Sequence, residues 1–288
     1  MRSLLTGLAA LAIVSCGTSA PARPALWKVS DPDTTIYLFG TIHVLPKDVA
    51  WRTPAFDSAL KSADELVLEI ADQSDKAASA QTFRTLALSP NLPPLLDRVP
   101  ADKRASLEAM ISKAGLKPQM LDPLETWAAA VTLGAALYAG VGLTADNGVE
   151  RALSGAAEEA AKPMVGLETT AQQLGYFDKL PEAAQRELLM SVVDDSKNMA
   201  AEFEKMVSAW RRGDVDAIAA TFDDELRKSP ELAAVLLDRR NANWTEWLKA
   251  RLAKPGTAFV AVGAGHLAGK GSVVERLRAA GLKVERVQ

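Results

Sequence analysis

Thr35-Ile36-Tyr37-Leu38-Phe39-Gly40-Thr41-Ile42-His43, near the start of the chain, is matched near its end by Ala258-Phe259-Val260-Ala261-Val262-Gly263-Ala264-Gly265-His266. Each stretch is an apolar run that closes on Gly-x-x-His. A short apolar run bounded by glycine reads as a buried strand. A loop, a helix and a further strand follow each one: residues 53–63 and 65–70 after the first, residues 272–281 and 283–287 after the second. The two units form a weak internal repeat. Two more strand candidates are residues 25–29, ahead of a Ser-Asp-Pro-Asp turn, and residues 163–167.

Helical sequence fills the space between. Thr53-Pro54 caps a short helix, and Asp122-Pro123-Leu124-Glu125 and Thr169-x-x-Gln172 have the form of capping boxes. Residues 181–212 are periodic up to Gly213, Ser229-Pro230 opens a helix to about residue 253, and Ser272-x-x-Glu275 caps another. Residues 126–145 carry no charge, but half of them are alanine or glycine, which fits a buried or partner-facing helix. The expected fold is α/β (α+β): a central mixed sheet built from both ends of the chain and flanked by helices. Residues 25–288 form one domain in this reading, with large helical insertions at about 77–160 and 170–255.

The 288 residues are 48% hydrophobic and 24% charged, an ordinary globular composition. With 33 basic and 36 acidic residues the net charge is -3, which speaks against a nucleic-acid partner. One cysteine excludes an internal disulfide and a four-cysteine zinc site; two histidines exclude a three-histidine metal site within the chain. That cysteine, Cys16, closes Ile13-Val14-Ser15-Cys16 after Arg2 and an apolar stretch at 4–14 that is too short to span a bilayer. The tetrapeptide resembles a bacterial lipobox. Residues 1–15 are thus expected to be a lipoprotein signal, Cys16 to be lipidated, and residues 16–24 to be a flexible tether. The expected location is the bacterial cell envelope, as an outer-membrane lipoprotein facing the periplasm, with membrane contact through the lipid only. A mature chain without another thiol cannot use cysteine catalysis. No feature sets an oligomeric state.

The chemistry gathers at strand ends. His43 and His266 follow Gly40 and Gly263 at the carboxyl ends of predicted strands, where open α/β sheets bind ligands. Glu69 lies in the apolar run Leu66-Val67-Leu68-Glu69-Ile70, where a carboxylate is costly unless paired or ligating. Glu168 ends its strand just before a capped helix. Two histidines with one or two carboxylates make a divalent-metal site whose open position lowers the pKa of bound water, and a carboxylate off the metal can serve as general base. Arg240, on a predicted helix with Asn241, Trp244 and Trp247, is a candidate for oxyanion stabilisation. The tryptophans read as core, and Asp146, Asn147 and Glu150 read as helix-start capping. Gly263-x-Gly265-x-x-Ala268 with Glu285 imitates a dinucleotide fingerprint but lacks the strands that should follow it. Gly-x-Ser-x-Gly is absent, which disfavours a serine hydrolase.

Taken in order, Tyr37-Leu38-Phe39-Gly40-Thr41-Ile42-His43-Val44, the Glu69 strand, Gly166-Leu167-Glu168-Thr169, Arg240-Asn241 and Val262-Gly263-Ala264-Gly265-His266-Leu267 resemble the TraB/GumN family, which includes the Tiki metalloproteases. The resemblance implies a fold like that of the erythromycin-esterase and ChaN-like proteins. It also implies a metal-dependent hydrolase acting on a peptide or protein substrate through a metal-activated water, with manganese or cobalt favoured and zinc or iron possible. His43, His266 and Glu69 would hold the metal, and Glu69, Glu168 and Arg240 would act in catalysis. The alternative is a non-catalytic envelope lipoprotein that binds haem or metal.

Overall fold

A computed structural model describes residues 21–47, 49–71, 76–196, 198–226 and 229–288. The signal segment and Cys16 lie outside the described residues. The chain opens on β1 (Leu26–Ser30), turns through the predicted Ser-Asp-Pro-Asp segment and returns antiparallel as β2 (Thr34–Thr41). Asp31 closes that turn, its carboxylate accepting from the Thr34 N–H at 2.8 Å. Helix α1 (Pro54–Ser62) follows, with Thr53 Oγ1 accepting from the Phe56 N–H and Pro54 in the first turn, where its missing N–H has no partner to lose. It leads to β3 (Glu65–Ile70).

A helical insertion comes next: α2 (Lys76–Ala87), α3 (Ala101–Lys113), α4 (Pro118–Leu121), α5 (Thr126–Gly140) and α6 (Val149–Glu159). The chain then enters β4 (Met164–Glu168). The second insertion holds α7 (Thr170–Asp178), α8 (Glu182–Asp195), α9 (Met199–Arg212), α10 (Val215–Leu226), α11 (Pro230–Ala233) and α12 (Arg239–Leu252). Strand β5 (Gly256–Gly263), α13 (Val273–Ala279) and β6 (Val284–Arg286) complete the chain.

The strands form one six-stranded mixed sheet in the order β4-β3-β5-β2-β1-β6. Strands β4, β3, β5 and β2 are parallel, and β1 runs antiparallel to both β2 and β6. The expected α/β architecture, a mixed sheet from both chain ends with long helical insertions, is what forms. The two Gly-x-x-His strands are direct neighbours: β2 pairs with β5 so that Gly40 lies opposite Val262 and Thr41 opposite Gly263. The sequence repeat thereby becomes a spatial one, with both histidines leaving the same end of the sheet.

Alternation along the strands divides the core. One face carries Phe39, Leu66, Leu68 and Phe259 against α1, α6 and α9; the other carries Leu38, Val67, Val260 and Val262 against Trp244, Leu248 and α13. Each fully buried large apolar side chain contributes about 1.5–3 kcal/mol. On the first face Phe39 meets Phe56 at 4.7 Å between ring centroids, and Phe56 meets Phe259 edge-on at 5.2 Å. Trp210 of α9 buries its indole beside them and donates its N–H to the Gly40 carbonyl at 2.8 Å. A third core lies within the insertions, where Leu107 and Ile111 of α3, Leu133 and Leu137 of α5, and Leu189 and Val193 of α8 pack together. This accounts for part of the charge-free stretch: Leu133 and Leu137 of α5 are buried by its neighbours, while Val131, Ala135 and Ala139 lie on an exposed face. Among the described residues no helix is long and apolar enough to cross a membrane.

Three local expectations are corrected. The Asp122–Glu125 capping box does not form: the Asp122 carboxylate accepts from the Leu95 N–H, and Glu125 accepts from the Ser89 hydroxyl and the Trp127 indole. The side chains join separate segments instead of capping their own helix. The periodic stretch from 181 to 212 is two helices, α8 and α9, parted at Ser196 and Asn198. Its halves bury into different cores, Leu189 and Val193 into the insertion and Phe203, Val207 and Trp210 onto the sheet, which no straight helix can do. The helix expected from Ser229 is likewise interrupted, by a π-helical turn at Ala234–Asp238 that re-aims α12. By contrast, the Thr169–Gln172 box has both reciprocal bonds in place.

Replacing Trp210 by Phe keeps the ring packing but orphans the buried Gly40 carbonyl. The expected loss is about 1–3 kcal/mol, read by urea unfolding of the Trp210→Phe chain against wild type.

Candidate active site

The parallel strands β3, β5 and β4 deliver Glu69, the Gly263–His266 turn and Glu168 to one end of the sheet. Helix α12 crosses that end and inserts Arg240, which is 7% exposed, between the two carboxylates. Its Nη2 donates to Glu69 Oε2 at 2.6 Å, and its Nε donates to Glu168 Oε1 and Oε2 at 3.0 and 3.1 Å. Nη1 donates to His266 Nε2 at 3.1 Å and reaches the Leu236 carbonyl, exposed to it by the π-helical turn, at 3.4 Å. The guanidinium also lies over the Trp244 ring at 4.6 Å and the Tyr176 ring at 5.9 Å. Burial opposes its charge, but Glu69 and Glu168 hold its pKa above the ordinary value.

The network fixes the tautomer of His266. Asn241 Nδ2 donates to the Gly271 carbonyl, which turns its Oδ1 toward His266 Nδ1 at 2.7 Å. Nδ1 therefore carries the proton and Nε2 accepts from Arg240. Burial is the largest influence on this ring, and with the positive charges of Arg240 and His43 it outweighs Glu69 and brings the pKa down to about 3. His266 is neutral at pH 7, and Trp244 stacks obliquely on it at 4.4 Å.

Glu69 is saturated. Oε1 accepts from the Gly263 N–H at 2.7 Å, and Oε2 accepts from Gln173 Nε2 at 3.0 Å as well as from Arg240. Burial pushes its pKa up. His266, charged only in acid, together with the charges of His43 and Arg240 and the Gly263 N–H, overcomes that and holds it at about 2.

His43 is placed differently. Its side chain is 62% exposed, and Nδ1 binds Glu150 Oε1 at 2.7 Å. A Cβ added to Gly263 would lie 3.2 Å from both His43 Nε2 and Glu69 Oε1, so the absent side chain is what lets the two groups approach. Gly148 does the same for the backbone: a Cβ there would lie 2.1 Å from the His43 carbonyl oxygen. This contact lets α6 begin against the motif, with the Val149 N–H donating to the Ile42 carbonyl at 3.1 Å, and it delivers Glu150 to the histidine. Burial lowers the His43 pKa and the Glu150 and Glu69 carboxylates raise it, to about 9. The exposed ring edge weakens the burial effect, so the carboxylates set the direction. At pH 7 the ring therefore holds both protons.

His43, Glu69, Glu150 and Gln173 line a cavity of about 530 Å3 whose far end reaches Ser154, Glu158 and Met164. The family model for TraB/PrgY/gumN proteins matches residues 25–286. This chain belongs to the TraB/PrgY/gumN family. Its relatives include the uncharacterized protein YbaP of Escherichia coli (strain K12), 28% identical over 246 residues, covering 84% of this chain and 87% of YbaP. YbaP of Shigella flexneri matches with the same identity and coverage.

In this TraB/PrgY/gumN chain the structure brings His43, His266, Glu69, Glu168 and Arg240 to one sheet end but gives them unequal access. Arg240 and Glu168 lie behind Glu69 and do not line the cavity. Arg240 thus stands as a buried counter-ion, which differs from the oxyanion role expected of it, because four of its five N–H donors already have partners. Glu150, read from sequence as a capping residue, is the partner of His43. Gln173 and the indole N–H of Trp244, which donates to Glu168 at 3.1 Å, were also missed. The one sequence signal for Glu150 is Gly148, the residue immediately before its helix.

The three donors expected to hold a divalent metal do not fit one in this arrangement. A cation held by all three needs the lone pair of His266 Nε2, and the Arg240 guanidinium occupies it and one oxygen of Glu69. Among the described residues no group of three or more His, Cys, Asp or Glu is placed to hold a metal ion.

Two stability measurements check the cluster. Arg240→Met strands two buried carboxylates and is expected to cost about 3–5 kcal/mol in denaturant unfolding. Glu69 has a folded pKa of about 2 against an ordinary 4.5, so its contribution is complete above 4.5 and is lost as pH falls toward 2. Glu69→Gln should flatten that acid limb of the stability curve.

Proposed function

We propose that this chain is a hydrolase, acting on peptide bonds, in which His43 activates water and Glu150 orients and charges His43. The carrying observation is the 2.7 Å Nδ1–Oε1 bond, which leaves the other edge of the ring beside Glu69 at the cavity. In the base form, Nε2 takes a proton from water as it attacks a carbonyl held in the cavity. The proton then passes from Nε2 to the leaving nitrogen. Arg151, the permanent cation among the lining residues, is assigned the stabilisation of the negative charge that develops on the carbonyl oxygen. Glu69, locked by Arg240, the Gly263 N–H and Gln173, supplies a fixed negative field that favours the imidazolium formed in the first step. Arg240, Glu168 and His266 act through Glu69 and are positioning residues. Support for a peptide substrate comes from the likeness to the Tiki branch and from the charged and hydrogen-bonding groups that line the cavity: Glu69, Glu150, Arg151, Glu158 and Gln173.

The metal-activated water implied by that likeness, held by His43, His266 and Glu69, requires Arg240 to leave His266 Nε2. Chelation separates the two routes. With a peptide library as substrate, chelator-treated full chain should keep its activity, and loss restored by manganese or cobalt would overturn the metal-free route.

A His43→Ala change should lower kcat/KM by about 10²–10⁴-fold. In the wild type, kcat/KM should rise with pH through about 9, where His43 loses its second proton. Glu150→Gln removes the charge that holds the proton, so the limb should move down toward about 6.5. An unmoved limb would show that another group titrates.

A further inference from the structure

Met164, which lines the cavity, belongs to an unpaired sheet edge. Strand β4 is an end strand, and its register with β3 sets Met164 opposite Leu66 and Gly166 opposite Leu68. The Leu66 N–H donates to the Pro163 carbonyl at 2.9 Å. In a parallel ladder, bonding alternates residue by residue. The N–H and C=O of Val165 and Leu167 therefore face β3, and those of Met164 and Gly166 face away from the sheet. Among the described residues no further backbone partner reaches Met164 or Gly166. Residues 164–167 are half-buried, with Val165 and Leu167 packed on the face that carries Trp244.

Natural edges of this kind are blunted by charge, proline, bulges or cover. Within 164–167, Met-Val-Gly-Leu, there is no charge and no proline. On the α6 side the cavity is lined by Glu150, Ser154 and Glu158, spaced by four residues along one helix face, with Arg151 beside them. From Glu150 to Glu158 the helix rises about 12 Å, which matches about four residues of extended chain. The groove begins at His43 and Glu150 and passes Met164.

We propose that β4 is the docking strand for an extended peptide, which adds to the sheet through the outward N–H and C=O groups of Met164 and Gly166 and so lies along the groove with its scissile bond at His43. This rests on the peptide-hydrolase reading and gives it a substrate geometry: an unfolded or extended segment of at least about four residues, recognised through its main chain.

The test uses the full chain with His43→Ala, which holds peptides uncut. The probes are acetylated octapeptide amides, each also made with N-methyl groups on the odd or on the even residues. Strand addition predicts alternation: one methylated set binds about tenfold more weakly than the other, the effect of removing main-chain hydrogen bonds. Hydrogen exchange of the Met164 and Gly166 amides should slow on binding, while Val165 and Leu167 stay as they were. Binding with no alternation and no slowing overturns the docking strand. So does an absence of binding when wild type hydrolyses p-nitrophenyl acetate, an outcome that leaves a hydrolase without this groove. Alternating, protected binding by a chain whose wild type cleaves neither ester nor peptide keeps the docking strand and removes the hydrolase. No binding and no cleavage overturns both.

Discussion

A guanidinium buried between two carboxylates governs this end of the molecule. Each ion forfeits several kcal/mol of hydration on burial, and the loss is recovered only where every hydrogen bond is made. Arg240 meets that demand by binding Glu69, Glu168, His266 and a carbonyl, with two aromatic rings beneath it. Because the partners come from β3, β4, α12 and the turn after β5, the cluster requires these elements to be in register at once. Its own geometry then sets the protonation of its members: Glu69 is ionised and His266 is neutral.

The consequence for chemistry is a division of labour between two histidines that look equivalent in sequence. His266 is enclosed, its proton fixed by Asn241 and its lone pair taken by Arg240. His43 is open, paired with Glu150 and subject to the field of Glu69. The two leave neighbouring parallel strands at nearly the same height, yet one is core and the other faces the cavity. The asymmetry comes from their second neighbours. Helix α6 begins against His43, while α12 closes over His266.

Much of this was legible in the chain. The strands were readable because they are short apolar runs with glycine at their ends, and β3 was located to the residue. Glu69 stood out as a carboxylate in an apolar run, and its partner was implied by the electrostatics alone. The capping signals at Thr53, Thr169 and Ser272 act over three residues and were read correctly for that reason. The box at Asp122 has the same form but failed, since Leu95, Ser89 and Trp127 compete for its carboxylates from elsewhere. Glu150 and Gln173 gave no comparable signal. Each sits near a helix start, where an acidic or amide side chain is ordinary.

By itself, the sequence determined the class of fold and the residues with something to do: apolar periodicity and glycine punctuation are local properties, and a charge in an apolar run demands a partner. The tertiary structure alone decided who that partner is. Whether Arg240 meets a substrate or a carboxylate, and whether His43 or His266 faces the cavity, depends on how helices from distant insertions cross the sheet end. Those crossings are set by packing summed over three cores, and no local pattern in the chain encodes them.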